Sequence, residues 1–109
     1  MFHAGVQHEG AYVLVVASGR AELPELCALA EFSAKIASMR GCKRVLIDLL
    51  AVDRLLTPEE DMQLGAHLEA VFRDIERVAS VHPHPHASRS SRIRVFSTLA
   101  EANQWLIAV

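Results

Sequence analysis

The run His82-Pro83-His84-Pro85-His86 places three imidazoles at alternate positions, the densest set of potential metal donors in the chain. Neutral imidazole nitrogens suit Zn²⁺ and Ni²⁺, which makes His82, His84 and His86 a candidate metal set. The backbone argues the other way. A proline-rich run favours polyproline II at about three residues per turn, so alternate side chains do not share a face. No cysteine or carboxylate lies inside the run to complete a closed set. The expected metal chemistry is adventitious binding to nickel resin, and no resident cofactor is expected.

A second cluster comes from topology. Ligands of open α/β sheets collect beyond the C-terminal ends of the parallel strands. Three apolar runs read as such strands, and they are followed by Ser18-Gly19-Arg20, by Asp53, Arg54 and Thr57, and by His82 and His84. Arg20, Asp53, Thr57, His82 and His84 are therefore the candidate ligand-binding residues: an arginine, a hydroxyl and imidazoles able to take a small anion, helped by the N–H groups of a helix start at Thr57. The competing reading is ordinary loop polarity.

Catalytic signals are thin. The chain has no Ser-His-Asp order, His-Glu-x-x-His, nucleophile elbow or phosphate loop. His67 flanks the apolar face of a predicted helix, as a boundary histidine does. Asp48 lies within an apolar strand, where it is expected to accept backbone hydrogen bonds; its pairing with His82 is the one catalytic arrangement to consider. No catalytic residue is expected. Cys27 falls early in a predicted helix and Cys42 just past its end, roughly 20 Å apart at ~1.5 Å rise per residue, so both should be free thiols.

These residues must be carried by one domain, residues 1–109, with 51% apolar residues to fill a core. A net charge of −2 excludes the basic footprint of a nucleic-acid binder. Charge is nevertheless uneven: residues 77–109 hold four basic residues against one acidic, and residues 1–76 hold seven against twelve. That basic tail, with Arg89, Arg92 and Arg94, could orient an acidic partner, but Phe96 is the one aromatic near it, too few for a stacking platform. His8 and Glu9 interrupt any secretory leader, and the longest apolar run, Ala11 to Ala17, is seven residues against the ~20 of a membrane helix. A cytoplasmic protein without a membrane span is expected.

Val6-Gln7 and Tyr12 to Ala17 read as a hairpin turning at His8-Glu9-Gly10; the second run, apolar throughout, predicts a central strand covered on both faces and ended by Ser18-Gly19-Arg20. Pro24 opens a helix whose apolar face is Leu29, Phe32, Ile36 and Met39, closed by Gly41 as a left-handed cap. Lys43 to Leu50 is a second buried strand. Thr57-Pro58-Glu59-Glu60 is a capping box leading to the face Leu64, Leu68, Val71, Phe72 and Ile75. Val78 to His82 and Ile93 to Phe96 are strands, with a connection that leaves the last one parallel or antiparallel. Thr98 and Glu101 form a second box for a helix facing inward with Leu99, Ala102, Trp105 and Leu106. The fold class is α/β, a mixed sheet in the order β-β-α-β-α-β-β-α with helices packed on it.

That order resembles the small STAS domains of bacterial anti-sigma-factor antagonists. Arg44-Val45-Leu46-Ile47-Asp48-Leu49-Leu50, Arg77-Val78-Ala79-Ser80-Val81 and the ending Val95-Phe96-Ser97 to Ala102-Asn103-Gln104-Trp105-Leu106 look like the SpoIIAA-like branch related to the STAS and CRAL-TRIO groups. The resemblance implies a non-enzymatic regulatory module that acts through a protein partner. Its lipid-binding cousins imply the alternative, a carrier of a small, anionic or lipid ligand. The antagonists carry a phosphorylated Asp-Ser-Ser-Gly segment; the matching stretch here is Leu56-Thr57-Pro58-Glu59, which lacks both the Asp and the Gly, and Thr57 holds the one hydroxyl where a phosphate could go. A homodimer is expected as well, since an edge strand at Phe2 to His8 and the apolar end Trp105 to Val109 both invite a partner surface.

Overall fold

The structure, a computed structural model, describes residues 1–8, 10–83 and 90–108. Its elements are β1 (Phe2–His8), β2 (Val13–Ala21), α1 (Leu23–Met39), β3 (Arg44–Arg54), α2 (Pro58–Val71), β4 (Arg77–Val81), β5 (Ile93–Phe96) and α3 (Leu99–Ile107). One sheet orders the strands β1-β2-β3-β4-β5, with β1 antiparallel to β2 and every other pair parallel. The last strand is thus parallel, reached by a connection much shorter than a helical crossover. His84, His86 and Arg89 lie outside the described residues.

Helices α1 and α2 pack on one face of the sheet and α3 on the other. The larger core joins Val13, Val15, Val45, Ile47 and Val78 of the sheet to Leu26, Leu29 and Ala30 of α1 and to Leu64 and Phe72. The smaller core sets Ala102 and Leu106 of α3 against Leu46, Ala79 and Val81. Helix α3 contacts β3, β4 and β5, and Leu14 of β2 packs against the same cluster, so that face of β2 is covered in part: Leu14 and Val16 are half-buried. β2 is an interior strand, paired with β1 and β3, and β3 holds the middle of the sheet.

The strands also run further than their sequence suggests. Ser18, Gly19 and Arg20 continue β2 rather than end it, because β3 pairs alongside all three and β1 alongside the first two, with Phe2 opposite Gly19. Gly19 has φ +107°, and a Cβ there would lie 1.8 Å from the Met1 carbonyl oxygen. Only glycine allows that approach. β3 continues through Arg54 and carries a bulge: Val16 pairs with Asp48 and Ser18 with Ala51, so Leu49 and Leu50 stand opposite Ala17 alone. Asp48 Oδ1 accepts the Leu50 N–H at 3.0 Å within this bulge.

Local signals hold best at helix ends. Thr57 Oγ1 accepts the Glu60 N–H at 3.1 Å while Glu60 Oε1 accepts the Thr57 N–H at 3.0 Å. Thr98 caps α3 by accepting the Glu101 N–H, and Gly41, at φ +63°, closes α1. The large apolar side chains are less faithful. The buried stripe of α1 is Leu26, Leu29, Ala30, Ser33 and Ala37, whereas Phe32 and Met39 are 40% and 72% exposed. Close approach of α1 to sheet and α2 selects small residues there. α2 ends at Val71, and Phe72 and Ile75 reach the core from its cap and the following turn. Leu99 is exposed.

Candidate functional site

The C-terminal end of β3 delivers Arg54 to the junction of sheet and α2. Its Nη2 donates to Asp61 Oδ1 at 2.7 Å, from the first turn of α2, and its Nη1 approaches His82 Nδ1 at 3.5 Å. His82 follows β4, is 6% exposed, and is pinned by its own N–H to the Phe96 carbonyl at 3.0 Å. Its Nε2 meets Ser80 Oγ at 3.0 Å. A guanidinium has no acceptor, so Nδ1 must accept from Arg54 and Nε2 carries the hydrogen toward Ser80. Ser80 and His82, two apart along the chain, share a face for the same reason that alternate strand residues do.

Beneath this polar group lies a cavity of about 40 Å³ between the sheet and helices α1 and α2. Arg54, Ser80 and His82 are its polar lining; the rest is apolar, with Ala30, Ile47, Leu49, Leu64 and Phe72 among it. An open depression lined by Val52, Asp53, Arg54, His82 and Pro83 lies on the outer side. Arg54 and His82 line both. The Arg54 side chain is 18% exposed, and its Nε is buried with no hydrogen-bond partner among the described residues.

Of the residues expected from sequence, the structure brings Asp53 and His82 together in the outer depression. Arg20 is Cα-paired with Asp53 but exposed, and no ion pair joins them among the described residues. Thr57 is exposed, with its Oγ1 occupied as the cap of α2. The metal set falls largely outside the described residues, and among the described residues no cluster of three potential ligands occurs. Asp48 and His82 cannot act as a pair. Asp48 pairs with Val81 on the α3 face, while His82 lines the cavity on the other. The sequence reading placed Arg54 at the rim and gave no role to Asp61 or Ser80. A serine two residues before a histidine in an otherwise apolar strand was the available signal.

Neither a protein-family model nor a curated protein sequence matches the chain. Solved structures do. An anti-sigma factor antagonist from Mycobacterium paratuberculosis superposes with a TM-score of 0.66 at 18% identity, over 99% of this chain and 96% of that one. A protein from Shewanella loihica, described as an uncharacterized member of the DUF3478 family with a SpoIIAA-like fold, matches with a TM-score of 0.55 at 18% identity, over 96% and 93%. The chain has a SpoIIAA-like fold.

Within this SpoIIAA-like fold the basic tail is largely committed to structure. Arg92 Nη1 donates to the carbonyls of Phe72 and Ile75 at 2.7 and 2.9 Å, closing the end of α2. Arg77 Nη1 donates to the Trp105 and Ala108 carbonyls at 2.6 and 2.8 Å, and Arg44 to those of Leu106 and Ala108, so both close α3. The guanidinium carbons of Arg77 and Arg94 lie 5.5 and 5.0 Å from the Trp105 ring centre. Trp105 is thereby covered rather than offered to a partner. His67 bridges to Glu31 of α1 at 3.0 Å, a boundary role. Both cysteines are free thiols. Burial, with Glu31 adding to it, pushes the Cys27 thiol pKa above its ordinary value of 9.0.

Proposed function

We propose that residues 1–109 act as one non-enzymatic binding and regulatory domain of the STAS type, working through a protein partner in the cytoplasm. The observation that carries this reading is the match to an anti-sigma factor antagonist over 99% of the chain. The exposed rim of Arg20, Asp53 and Thr57 is the surface that such a partner would read, and Thr57 is the position where a phosphate would alter it. The chain pairs with itself through the free side of β1, whose outer backbone groups no other strand of the sheet takes up. The test is proximity labelling in the native cell, followed by reconstitution with the protein recovered. A stoichiometric complex that Asp53→Lys weakens without unfolding the chain is expected. A chain that forms no complex with any recovered protein, or that turns over a substrate, overturns the reading. Light scattering across a concentration series gives dimer mass if β1 self-pairs, and monomer mass throughout if it does not.

A second reading, a small-ligand binder, is favoured by the cavity beneath Arg54 and His82. At about 40 Å³ the cavity is far below the ~300–1,000 Å³ of ordinary ligand pockets, so a lipid chain does not fit and a much smaller molecule does.

A further inference from the structure

The sheet has two outer strands, and they are guarded differently. β5 is four residues long with Arg94 exposed within it, the short, charged form of edge that resists further pairing. β1 is seven residues long and carries no proline and no Lys, Arg, Asp or Glu. Its Phe2, Ala4 and Val6 stand opposite Gly19, Ala17 and Val15, so they face the α1 side. Helix α1 lies over β2 and β3, which leaves beside it an open groove of about 330 Å³ lined by Phe2, Ala4, Glu25, Ala28 and Phe32, among others. The stripe Glu25, Ala28 and Phe32 continues at the same three-and-four spacing to Lys35 and Met39. Phe32, Lys35 and Met39 are all exposed.

The charges along α1 name what covers this surface. Between residues 22 and 43 the acids Glu22, Glu25 and Glu31 all precede Phe32, and the bases Lys35, Arg40 and Lys43 all follow it. Neither Glu25 nor Lys35 makes an ion pair among the described residues. A two-fold axis beside Phe32 sets the acidic half of each helix toward the basic half of its copy, so a second copy meets the pattern by symmetry. Strand geometry fixes where that axis stands. Directly opposed residues of an antiparallel pair share a face, so the axis of a self-paired β1 falls on a residue. Gly5, the middle of Phe2–His8, is the residue that pairs the whole strand: Phe2 with His8 of the copy, Ala4 with its Val6, and Gly5 with itself. Across that seam the two α1 axes lie four strand spacings, about 19 Å, apart. Helices are ~10–12 Å across with their side chains, so a gap of about 8 Å remains. Phe32, which borders the groove together with Ala4, extends into that gap from both sides.

We propose that β1 and the groove-side stripe of α1 form one self-complementary dimer surface: the β1 edges pair antiparallel about Gly5, Phe32 of each copy covers the seam, and the Glu25 end of each α1 faces the Lys35 end of the other. The proposal rests on the self-pairing of β1 and names its axis and its second layer. The test is cysteine cross-linking and sedimentation of the full chain. A Cβ at Gly5 meets nothing within 4 Å, and Cα atoms opposed across the axis are about 4.5–5.5 Å apart, so Gly5→Cys oxidised with diamide gives a dimer linked through residue 5. His3→Cys, about 13 Å from its copy in this register, does not link. Phe32→Asp and Lys35→Glu, both on the surface, each raise the dimer dissociation constant by about tenfold. Mixed with Glu25→Lys, the Lys35→Glu chain forms a heterodimer in preference to either homodimer. If Glu25→Lys fails to fold, a dissociation constant of the unchanged chain that rises with salt supports the charge arrangement, and one that does not rise overturns it. Linkage through His3→Cys instead of Gly5→Cys, with Phe32→Asp still dimeric, overturns this arrangement and leaves β1 pairing standing. Monomer mass of the unchanged chain at every concentration, or a dimer that neither cysteine links, overturns both.

Discussion

Arginines occupy both ends of the parallel sheet, and the two ends use them in opposite ways. At the N-terminal ends of the strands, Arg44, Arg77 and Arg92 each donate to carbonyls at the close of a helix. A helix C-terminus carries partial negative charge, so this is where cations belong. At the other end Arg54 stands beside the start of α2, where the helix dipole opposes a positive charge, and Asp61 from that helix's first turn holds it there. Burial does not separate the two cases: the Arg44 and Arg92 side chains are 23% and 30% exposed, that of Arg54 18%. The difference is satisfaction. The first set saturates backbone acceptors, and the second leaves a buried donor over. A residue that breaks a local rule without an evident structural return marks a site rather than a support.

This contrast can be broken by substitution. Arg77→Met or Arg92→Met should each lower unfolding free energy by about 2 kcal/mol in urea titrations, since each exposes two helix-terminal carbonyls to the loss of a charged donor. Thr57→Ala, at the other end, should cost about 1 kcal/mol by removing the cap of α2. Arg54→Met should shift stability by less than about 0.5 kcal/mol, because losing a part-buried ion pair is offset by removing the orphaned Nε. A loss as large as that of Arg77→Met would erase the distinction between the ends. The smallest effect concerns Cys27. Its raised pKa means that the unfolded chain ionises first as pH rises through 9.0, so stability is full below that value and declines above it. Cys27→Ser should flatten that decline in urea midpoints taken from pH 8 upward.

What the sequence made legible was whatever is decided locally. The box at Thr57 and the left-handed Gly41 each depend on three or four neighbouring residues, and both stand in the structure; at Thr98 the cap forms but the reciprocal half of the box does not, because Glu101 takes the Thr98 hydroxyl instead of its N–H. The stripe of α1 was misread because large apolar side chains suggest burial, while the close packing of α1 needed Ala30, Ser33 and Ala37. The turn-like Ser18-Gly19-Arg20 is strand because β3 pairs along all three residues and β1 along the first two. Topology brings Asp53 and His82 to one end of the sheet, where both line the outer depression. Its chemistry was not legible, since Arg54 finds one partner seven residues away across a strand–helix junction and another 28 residues away just past the end of a neighbouring strand. The structural use of Arg77 and Arg92 in the basic tail was hidden for the same reason: the carbonyls that hold them are visible only once the helices are in place.

The bulge in β3 decides which residues can reach the cavity. Before it, Ile47 and Leu49 face the chamber and Asp48 faces α3. An unbroken strand would keep that parity and send Val52 and Arg54 to the side of Asp48. The extra residue reverses the parity, so Val52 joins the main core and Arg54 lines the chamber. A single-codon deletion at Leu50 would therefore straighten β3 without turning Arg54: Ile47, Leu49, Val52 and Arg54 would fall on one face of an unbroken strand, opposite Val15, Ala17, Gly19 and Ala21, with every strand pairing kept.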